Sequence, residues 1–302
     1  MSRRFDTISF LSDYGTSDEF VGVVKSVIRS IAPEATVVDI THDVPPYDVK
    51  AGSLTLARSV QYLCPGVVLA VVDPGVGTAR RAVAIEVGDG ESYLVGPDNG
   101  LLAPAVGLVG GATRAVELTN TDYQLPAPGA TFAGRDVFGP AAAHLCAGVP
   151  LDELGPEVDP AVLLPGVVPL PHDEAGALAG QVLWVDRYGN CQLNVDPDQI
   201  AEWGERLEVR WAGPRPGVRT GRRVTAFDEL RTGEVGLVTD SYGLVAVALA
   251  RASAADLLEL TTGDEVVLAP LDDEDEREDE ADGSQARGNG VSVPVTLERK
   301  IR

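Results

Sequence analysis

The first half of the chain alternates uninterrupted apolar runs with segments in which apolar residues recur at helical spacing. Val67–Val72 is entirely apolar, as expected of a strand buried on both faces, whereas Asp18–Ile31 has the period of an amphipathic helix. The strands predicted here are Thr7–Leu11, Thr36–Ile40, Val67–Val72, Ala82–Val87, Tyr93–Val95 and Ala115–Leu118, and the helices are Asp18–Ile31, Val49–Leu63 and Gly134–Ala147. This alternation predicts an α/β fold, a layered domain with a mainly parallel sheet.

Beyond a proline-rich stretch the pattern changes to short strands separated by turn signals. Pro156–Pro171 holds five prolines and has no periodicity, so we place the linker there, with an N-terminal domain at 1–165 and a C-terminal domain at 166–302. The strands predicted in the second domain are Gln181–Asp186, Arg206–Trp211, Arg222–Phe227, Glu234–Thr239, Leu244–Leu249 and Glu265–Ala269, with one helix at Ser253–Leu260. Short strands at this spacing favour a small β-barrel.

Charge is concentrated near the C-terminus. Residues 272–282 hold nine acids and one arginine and so supply −8 of the formal net charge of −22. Segment 271–290 is acidic and then glycine-rich, which predicts a disordered loop, and Val291–Leu297 alternates like a returning strand. The negative balance argues against nucleic acid and anionic membrane as partners.

Cysteine usage and the N-terminal residues indicate a cytoplasmic protein. Cys64, Cys146 and Cys191 lie far apart without a CxxC pair, so neither a disulfide framework nor a structural zinc site is expected. Residues 1–4 lead directly into the first strand without the apolar core of a signal peptide. We also expect no membrane span, because no apolar stretch reaches about 18 residues.

Acidic residues follow three strands of the predicted parallel sheet, and ligands bind beyond the carboxyl ends of such strands. The three segments are Ser12–Gly15, Thr41–Asp43 and Asp73–Gly77. Each one taken alone is also explained by a helix cap or a turn. Asp73 shares its glycine-rich loop with Arg80, and such a pair can hold and polarise a water molecule. The alternative is a structural salt bridge, and the loop lacks the Lys-Ser/Thr ending of a P-loop.

Eight motifs in one order resemble the S-adenosylmethionine hydroxide adenosyltransferase family, which is related to the nucleophilic fluorinase and chlorinase, and the resemblance covers about residues 5–270. They are Ser12–Asp18, Pro45–Val49, Asp73–Thr78, Gly96–Leu102, Thr131–Phe132, Gly134–Asp136, Asp186–Asn190 and Ser241–Gly243. The resemblance implies an N-terminal α/β domain, a C-terminal β-barrel and a homotrimer with sites at subunit interfaces. It implies an enzyme that uses water to split the 5′ carbon–sulfur bond of S-adenosylmethionine, releasing adenosine and methionine. It implies neither a cofactor nor a metal.

The resemblance also assigns roles to substrate-binding residues. Asp13 matches the acid that holds the ribose hydroxyls, a task suited to a carboxylate that accepts two hydrogen bonds. Asp18 matches the acid that meets the methionine ammonium. Tyr47 and Phe132 match positions around the sugar and the adenine, although aromatic residues there are as often part of the core.

Three further matches lie in the second domain. Asp186 and Asn190 resemble the pair that contacts the methionine amine and the adenine edge. Ser241 matches a contact to the methionine carboxylate. For Asn190 the alternative is an ordinary turn asparagine.

The catalytic positions match incompletely. Hydrolytic members surround the nucleophilic water with an Asp, an Arg and a His, and Asp73 and Arg80 match the first two. Ala133 stands where the histidine is expected, within Thr131–Asp136. We therefore predict normal binding of S-adenosylmethionine but slow hydrolysis. The alternatives are a chlorinase-like halogenase, disfavoured by the charge of Asp73 and the short Val87–Ser92 turn, and a non-catalytic S-adenosylmethionine or adenosine binder, favoured by Ala133.

Overall fold

The computed structural model describes residues 5–212 and 215–271. Two compact units divide the chain, Met1–Pro169 and Leu170–Arg302. The acidic segment predicted to be disordered, apart from Leu271, and the strand predicted at Val291–Leu297 lie outside the described residues.

The first unit contains a six-stranded sheet in the order β2-β1-β3-β5-β4-β6. Its strands are β1 (Thr7–Ser12), β2 (Thr36–Thr41), β3 (Val67–Val71), β4 (Ala82–Val87), β5 (Ser92–Pro97) and β6 (Ala112–Glu117), and its α-helices are α1 (Phe20–Ile31), α2 (Val49–Val60), α3 (Ala103–Leu108) and α4 (Gly139–Cys146). The pairs β1–β2, β1–β3 and β3–β5 are parallel, whereas β4 is antiparallel to both of its neighbours. The layered α/β prediction is therefore confirmed.

Two apolar clusters cover the two faces of this sheet. Every residue of β3 is buried, and its side chains alternate, so that Leu69 joins the cluster that contains α1 and α4. Val68 joins the cluster that contains α2 and α3. A strand covered on both faces needs apolar residues at every position, which explains the uninterrupted apolar run.

The second unit is a β-barrel. Its strands are β7 (His172–Glu174), β8 (Ala177–Val185), β9 (Cys191–Leu193), β10 (Arg206–Trp211), β11 (Gly217–Val224), β12 (Val235–Thr239), β13 (Val245–Leu249) and β14 (Glu265–Pro270), and helix α5 spans Ala254–Leu258. The order β14-β10-β11-β12-β13-β9-β8 closes because β14 also pairs with β8, and β7 adds to the side of β8. This architecture confirms the predicted barrel.

Some predicted elements differ in detail from the observed ones. The strand predicted at Arg222–Phe227 is Gly217–Val224, and Phe227 begins a 3₁₀ turn. The helix predicted at Gly134–Ala147 opens as a π-helical turn, Gly134–Phe138, before α4 begins. The pattern of apolar positions does not distinguish a single π-helical turn from an α-helical turn, because both place one side of the helix against the core.

Candidate active site

The loops that follow β1, β2 and β3 meet at one edge of the first sheet. Backbone hydrogen bonds join them: the N–H of Asp13 donates to the carbonyl of Val71 (3.4 Å), and the N–H of Gly15 donates to the carbonyl of His42 (2.8 Å). The parallel pairing of the three strands places their carboxyl ends side by side. The three acidic segments are thus brought together, as the sequence predicts.

Asp13 is a partly buried carboxylate that accepts a hydrogen bond from the backbone. Its Oδ2 accepts a hydrogen bond from the N–H of Tyr47 at 2.9 Å, and Tyr47 has a left-handed backbone with φ of 68°. Burial raises the pKa of Asp13, and the negative charge of Asp73 raises it further, against the lowering effect of backbone N–H donors. Lone pairs remain for hydroxyl donors. The Tyr47 ring is 75% exposed and so projects from the surface of this unit.

Asp73 and Arg80 form the charged pair of the site. Nε of Arg80 donates to Oδ1 of Asp73 at 2.9 Å, and its Nη2 donates to Oδ2. The guanidinium also lies 5.1 Å from the centre of the Phe138 ring, within cation–π distance. Gly77, with φ of +78°, permits the tight loop between the two partners.

The segment that carries Phe132 and Ala133 packs beside the Ser12–Gly15 loop. The Phe132 ring meets those of Phe20 and Tyr14 edge-on, with centroids 4.9 and 5.7 Å apart. Ala133 is partly buried and leads into the π-helical turn. A Cβ atom on Gly134 would lie 2.3 Å from the hydroxyl of Tyr14, so only glycine fits this position without displacing the ring.

Tyr14 lies within the Ser12–Asp18 motif, but the residue pattern predicts no role for it. Its hydroxyl packs against the backbone of Gly134. Burial raises the pKa of the phenol, and the charges of Asp13 and Asp73 add to that effect. Its position directly after Asp13 is the signal that could have identified it.

His42 is a second residue near the site for which the residue pattern predicts no role. Its ring is buried, its Nδ1 lies 2.8 Å from Oγ of Ser12, and its Nε2 lies 3.1 Å from Oδ1 of Asp39. Ser12 precedes Asp13 directly, so this chain of contacts helps to fix the loop that carries the carboxylate.

The Gly96–Leu102 motif supports the site from the neighbouring strand. Nδ2 of Asn99 donates to the carbonyl of Val72 at 2.9 Å, directly before Asp73. The carboxylate of Asp98 accepts from Nε of Arg81 at 2.8 Å and from the N–H of Leu164 at 2.8 Å. These contacts give the motif a structural role.

The predicted residues of the second unit lie in two turns of the barrel. Nδ2 of Asn190 donates to Oδ2 of Asp186 at 2.8 Å, so the two side chains bind each other across the β8–β9 turn. Ser241 is exposed in the β12–β13 turn. The Tyr242 ring of that turn lies 6.2 Å from the Trp184 ring on β8, so both turns belong to the same side of the barrel.

Asp18, the remaining predicted contact, is exposed in the bend that precedes α1. No group of three or more His, Cys, Asp or Glu side chains suited to a metal ion occurs within residues 5–212 and 215–271. Over the same part of the chain, no helix is both long and apolar enough to cross a membrane.

These observations define a class of protein. It has an α/β domain and a β-barrel domain, and it carries a buried Asp–Arg pair at the edge of its parallel strands. Residues 8–155 match the SAM hydroxide adenosyltransferase N-terminal domain, and residues 180–267 match the C-terminal domain of the same family. The chain therefore belongs to the SAM hydroxide adenosyltransferase family.

Similar proteins are known from several organisms. A protein from Salinispora tropica named (R)-S-adenosyl-L-methionine hydrolase is 47% identical over 85% of this chain and 95% of its own length. One of the same name from Thermus thermophilus is 43% identical over 85% of this chain and 96% of its own. A fluorinase from Actinoplanes is more distant, 29% identical over 65% of this chain and 74% of its own. A crystal structure of an uncharacterized conserved protein from Thermotoga maritima superposes with a TM-score of 0.79 at 33% identity, over 87% of this chain and 99% of that one.

Proposed function

We propose that this protein hydrolyses S-adenosylmethionine to adenosine and methionine. The observation that carries the proposal is the shielded Asp73–Arg80 pair beside Asp13, at the edge where parallel strands present their loops. The relatives at 43% and 47% identity are both named (R)-S-adenosyl-L-methionine hydrolase, so their named substrate has the (R) configuration at its sulfonium. We infer that the (R) epimer is also the substrate of this chain.

In the proposed reaction, the oxygen of a water molecule attacks the 5′ carbon from the side opposite the sulfur. The carbon–sulfur electron pair stays on sulfur, which changes from a sulfonium cation to the neutral thioether of methionine, and one proton is released. No general acid is required, because the leaving group is neutral. The barrier comes from the weakness of water as a nucleophile, so the enzyme must align it.

The Asp73–Arg80 pair meets this need in the proposed mechanism. The guanidinium holds the carboxylate in a fixed orientation by a two-pronged contact, and an N–H not used in that contact can stabilise negative charge on the attacking oxygen. Each carboxylate oxygen has more than one lone pair, so Asp73 also has capacity to accept the proton that water loses.

Substrate binding is proposed to use both units of the chain. Asp13 would hold the ribose hydroxyls and Asp18 the methionine ammonium, with Tyr47 and Phe132 beside the sugar and the base. Asp186, Asn190 and Ser241 would contact the amine, the adenine edge and the carboxylate.

We propose a homotrimer in which each site combines the first unit of one subunit with the second unit of a neighbour. We also propose a cytoplasmic location, for which the three widely spaced cysteines give indirect support.

The test is to incubate the protein with each sulfonium epimer in ¹⁸O-labelled water and to identify the products by mass spectrometry. Adenosine labelled at its 5′ oxygen, together with unlabelled methionine, is expected from the (R) epimer. Parallel reactions with chloride or fluoride test for a halogenase, which would release a 5′-halogenated adenosine. Binding of S-adenosylmethionine without any product would instead identify a non-catalytic binder, the alternative that Ala133 favours.

A further inference from the structure

The Tyr14 ring is fixed on several sides by aromatic neighbours. Its centroid lies 5.7 Å from that of Phe132, 5.8 Å from that of Phe20 and 6.5 Å from that of Phe10. A ring packed in this way holds its hydroxyl in one place with little further loss of entropy on catalysis.

The Tyr14 hydroxyl lies next to the backbone at position 134, one residue beyond Ala133. A Cβ on Gly134 would lie 2.3 Å from the phenol oxygen, so the hydroxyl packs directly against this backbone. A tyrosine hydroxyl is one donor as well as an acceptor. The hydroxyl can therefore donate a hydrogen bond to a partner beside position 133.

The charged residues that surround this hydroxyl also belong to the proposed reaction site. The charges that act on it are the carboxylates of Asp13 and Asp73 and the guanidinium of Arg80. Two of these three residues are the proposed holders of the nucleophilic water. The hydroxyl therefore lies in the field of the catalytic pair and adjoins the position where relatives are expected to carry histidine.

We propose that the Tyr14 hydroxyl donates a hydrogen bond to the nucleophilic water and so supplies part of the alignment that Ala133 cannot give. This inference rests on the proposed hydrolysis. Tyr14 keeps its proton throughout, and the attacking oxygen, not the phenol, forms the new bond to carbon. The hydrogen bond aligns the oxygen and stabilises the charge that develops as water loses its proton.

The direction of the Tyr14 pKa agrees with a donor. Burial and two nearby carboxylates hold this pKa well above the ordinary value for tyrosine, so the phenol stays protonated at neutral pH. A general base would need a lower pKa.

The Tyr14→Phe variant tests the proposal, because it keeps the packed ring and removes only the hydroxyl. We expect kcat to fall roughly 10- to 100-fold while KM changes less than about threefold. Tyr93→Phe is the matched control: Tyr93 is buried in the same unit and its hydroxyl bonds to Glu86 at 3.2 Å, and its loss should leave kcat unchanged. Melting temperatures of both variants show whether either substitution damages the fold.

A second variant pair tests whether Tyr14 and position 133 serve one role. In an Ala133→His background we expect Tyr14→Phe to reduce kcat less than about threefold, since the histidine supplies the contact. An undiminished kcat in Tyr14→Phe, or parallel changes in kcat, KM and melting temperature, would overturn the proposal while leaving hydrolysis intact. If the parent protein released no adenosine from either epimer, the proposed function would fail, and this inference with it.

Discussion

Both carboxylate oxygens of Asp73 accept hydrogen bonds from the guanidinium of Arg80, and the two side chains are only 6% and 15% exposed. A shielded pair of this kind holds each partner at one orientation. Removal of either partner leaves the other as an uncompensated charge in a partly desolvated place. The geometry therefore suits a site that aligns a water molecule more than a surface salt bridge.

Arg80→Lys is expected to lower kcat by about 10²-fold. Lysine keeps the positive charge but lacks the planar guanidinium that donates hydrogen bonds to both carboxylate oxygens at once. Adenosine affinity, measured by calorimetry, should change little because Asp13 is untouched.

The control for this prediction is Arg81→Lys, the same chemical change one residue along the chain, where the guanidinium binds Asp98. It should lower the melting temperature but leave kcat within about threefold. Equal losses of kcat in both variants would show that the loss comes from a change in loop conformation and not from loss of the bidentate Arg80 contact.

Adenosine binding should weaken with acid at a higher pH than an ordinary aspartate would give. Ionised Asp13 is the better acceptor for two ribose hydroxyls, and its pKa is raised above the ordinary value of 3.8 by burial and by Asp73. Calorimetry across the acidic range measures the midpoint. Asp13→Ala should bind adenosine weaker by roughly 2–5 kcal/mol at neutral pH, and without this midpoint. Undiminished affinity in that variant would remove Asp13 from the site.

The same pKa predicts how Asp13 affects stability. A carboxyl whose pKa is higher in the folded state binds its proton more tightly there, so its stabilising contribution is complete below pH 3.8 and is lost as pH rises through the folded pKa. At pH 7 ionised Asp13 therefore costs stability, and Asp13→Asn should raise the melting temperature. The gain should shrink on acidification. A lower melting temperature at pH 7 would contradict this reasoning.

The sequence pattern predicts those elements whose burial alone determines their residues. β3 is covered on both faces and is apolar throughout, so its assignment required no tertiary information. β7, His172–Glu174, is a fully exposed, charged strand, and its residues carry no burial pattern to identify it. The three-residue β9 is too short to show a period.

The candidate site was predictable to the extent that its chemistry lies in charged residues. Asp73 and Arg80 share one loop and are found paired. The placement of Tyr14 against Gly134 was not predictable, because it depends on how a residue after β1 meets a turn about 120 positions later in the chain. An aromatic residue next to a site cannot be told from core packing until its hydroxyl is located.

Light scattering should find a trimer, about three times the 31.7 kDa of the chain, if the sites form between subunits. Ligand binding should then be lost on dilution below the concentration at which the trimer dissociates, because a monomer would hold only part of each site. A monomer that binds and hydrolyses S-adenosylmethionine would refute the shared site.

Ala133→His should raise kcat by roughly tenfold or more with little change in KM, because a side chain there would add a hydrogen bond to the attacking water without touching the substrate contacts. The variant should also gain an inflection in its pH–rate profile near the histidine pKa of about 6.5. Ala133→Gln is the control, since it adds a hydrogen-bonding group that does not titrate. A rate unchanged by histidine would mean that the group at position 133 limits nothing, and that Asp73, Arg80 and the hydroxyl of Tyr14 already align the water fully.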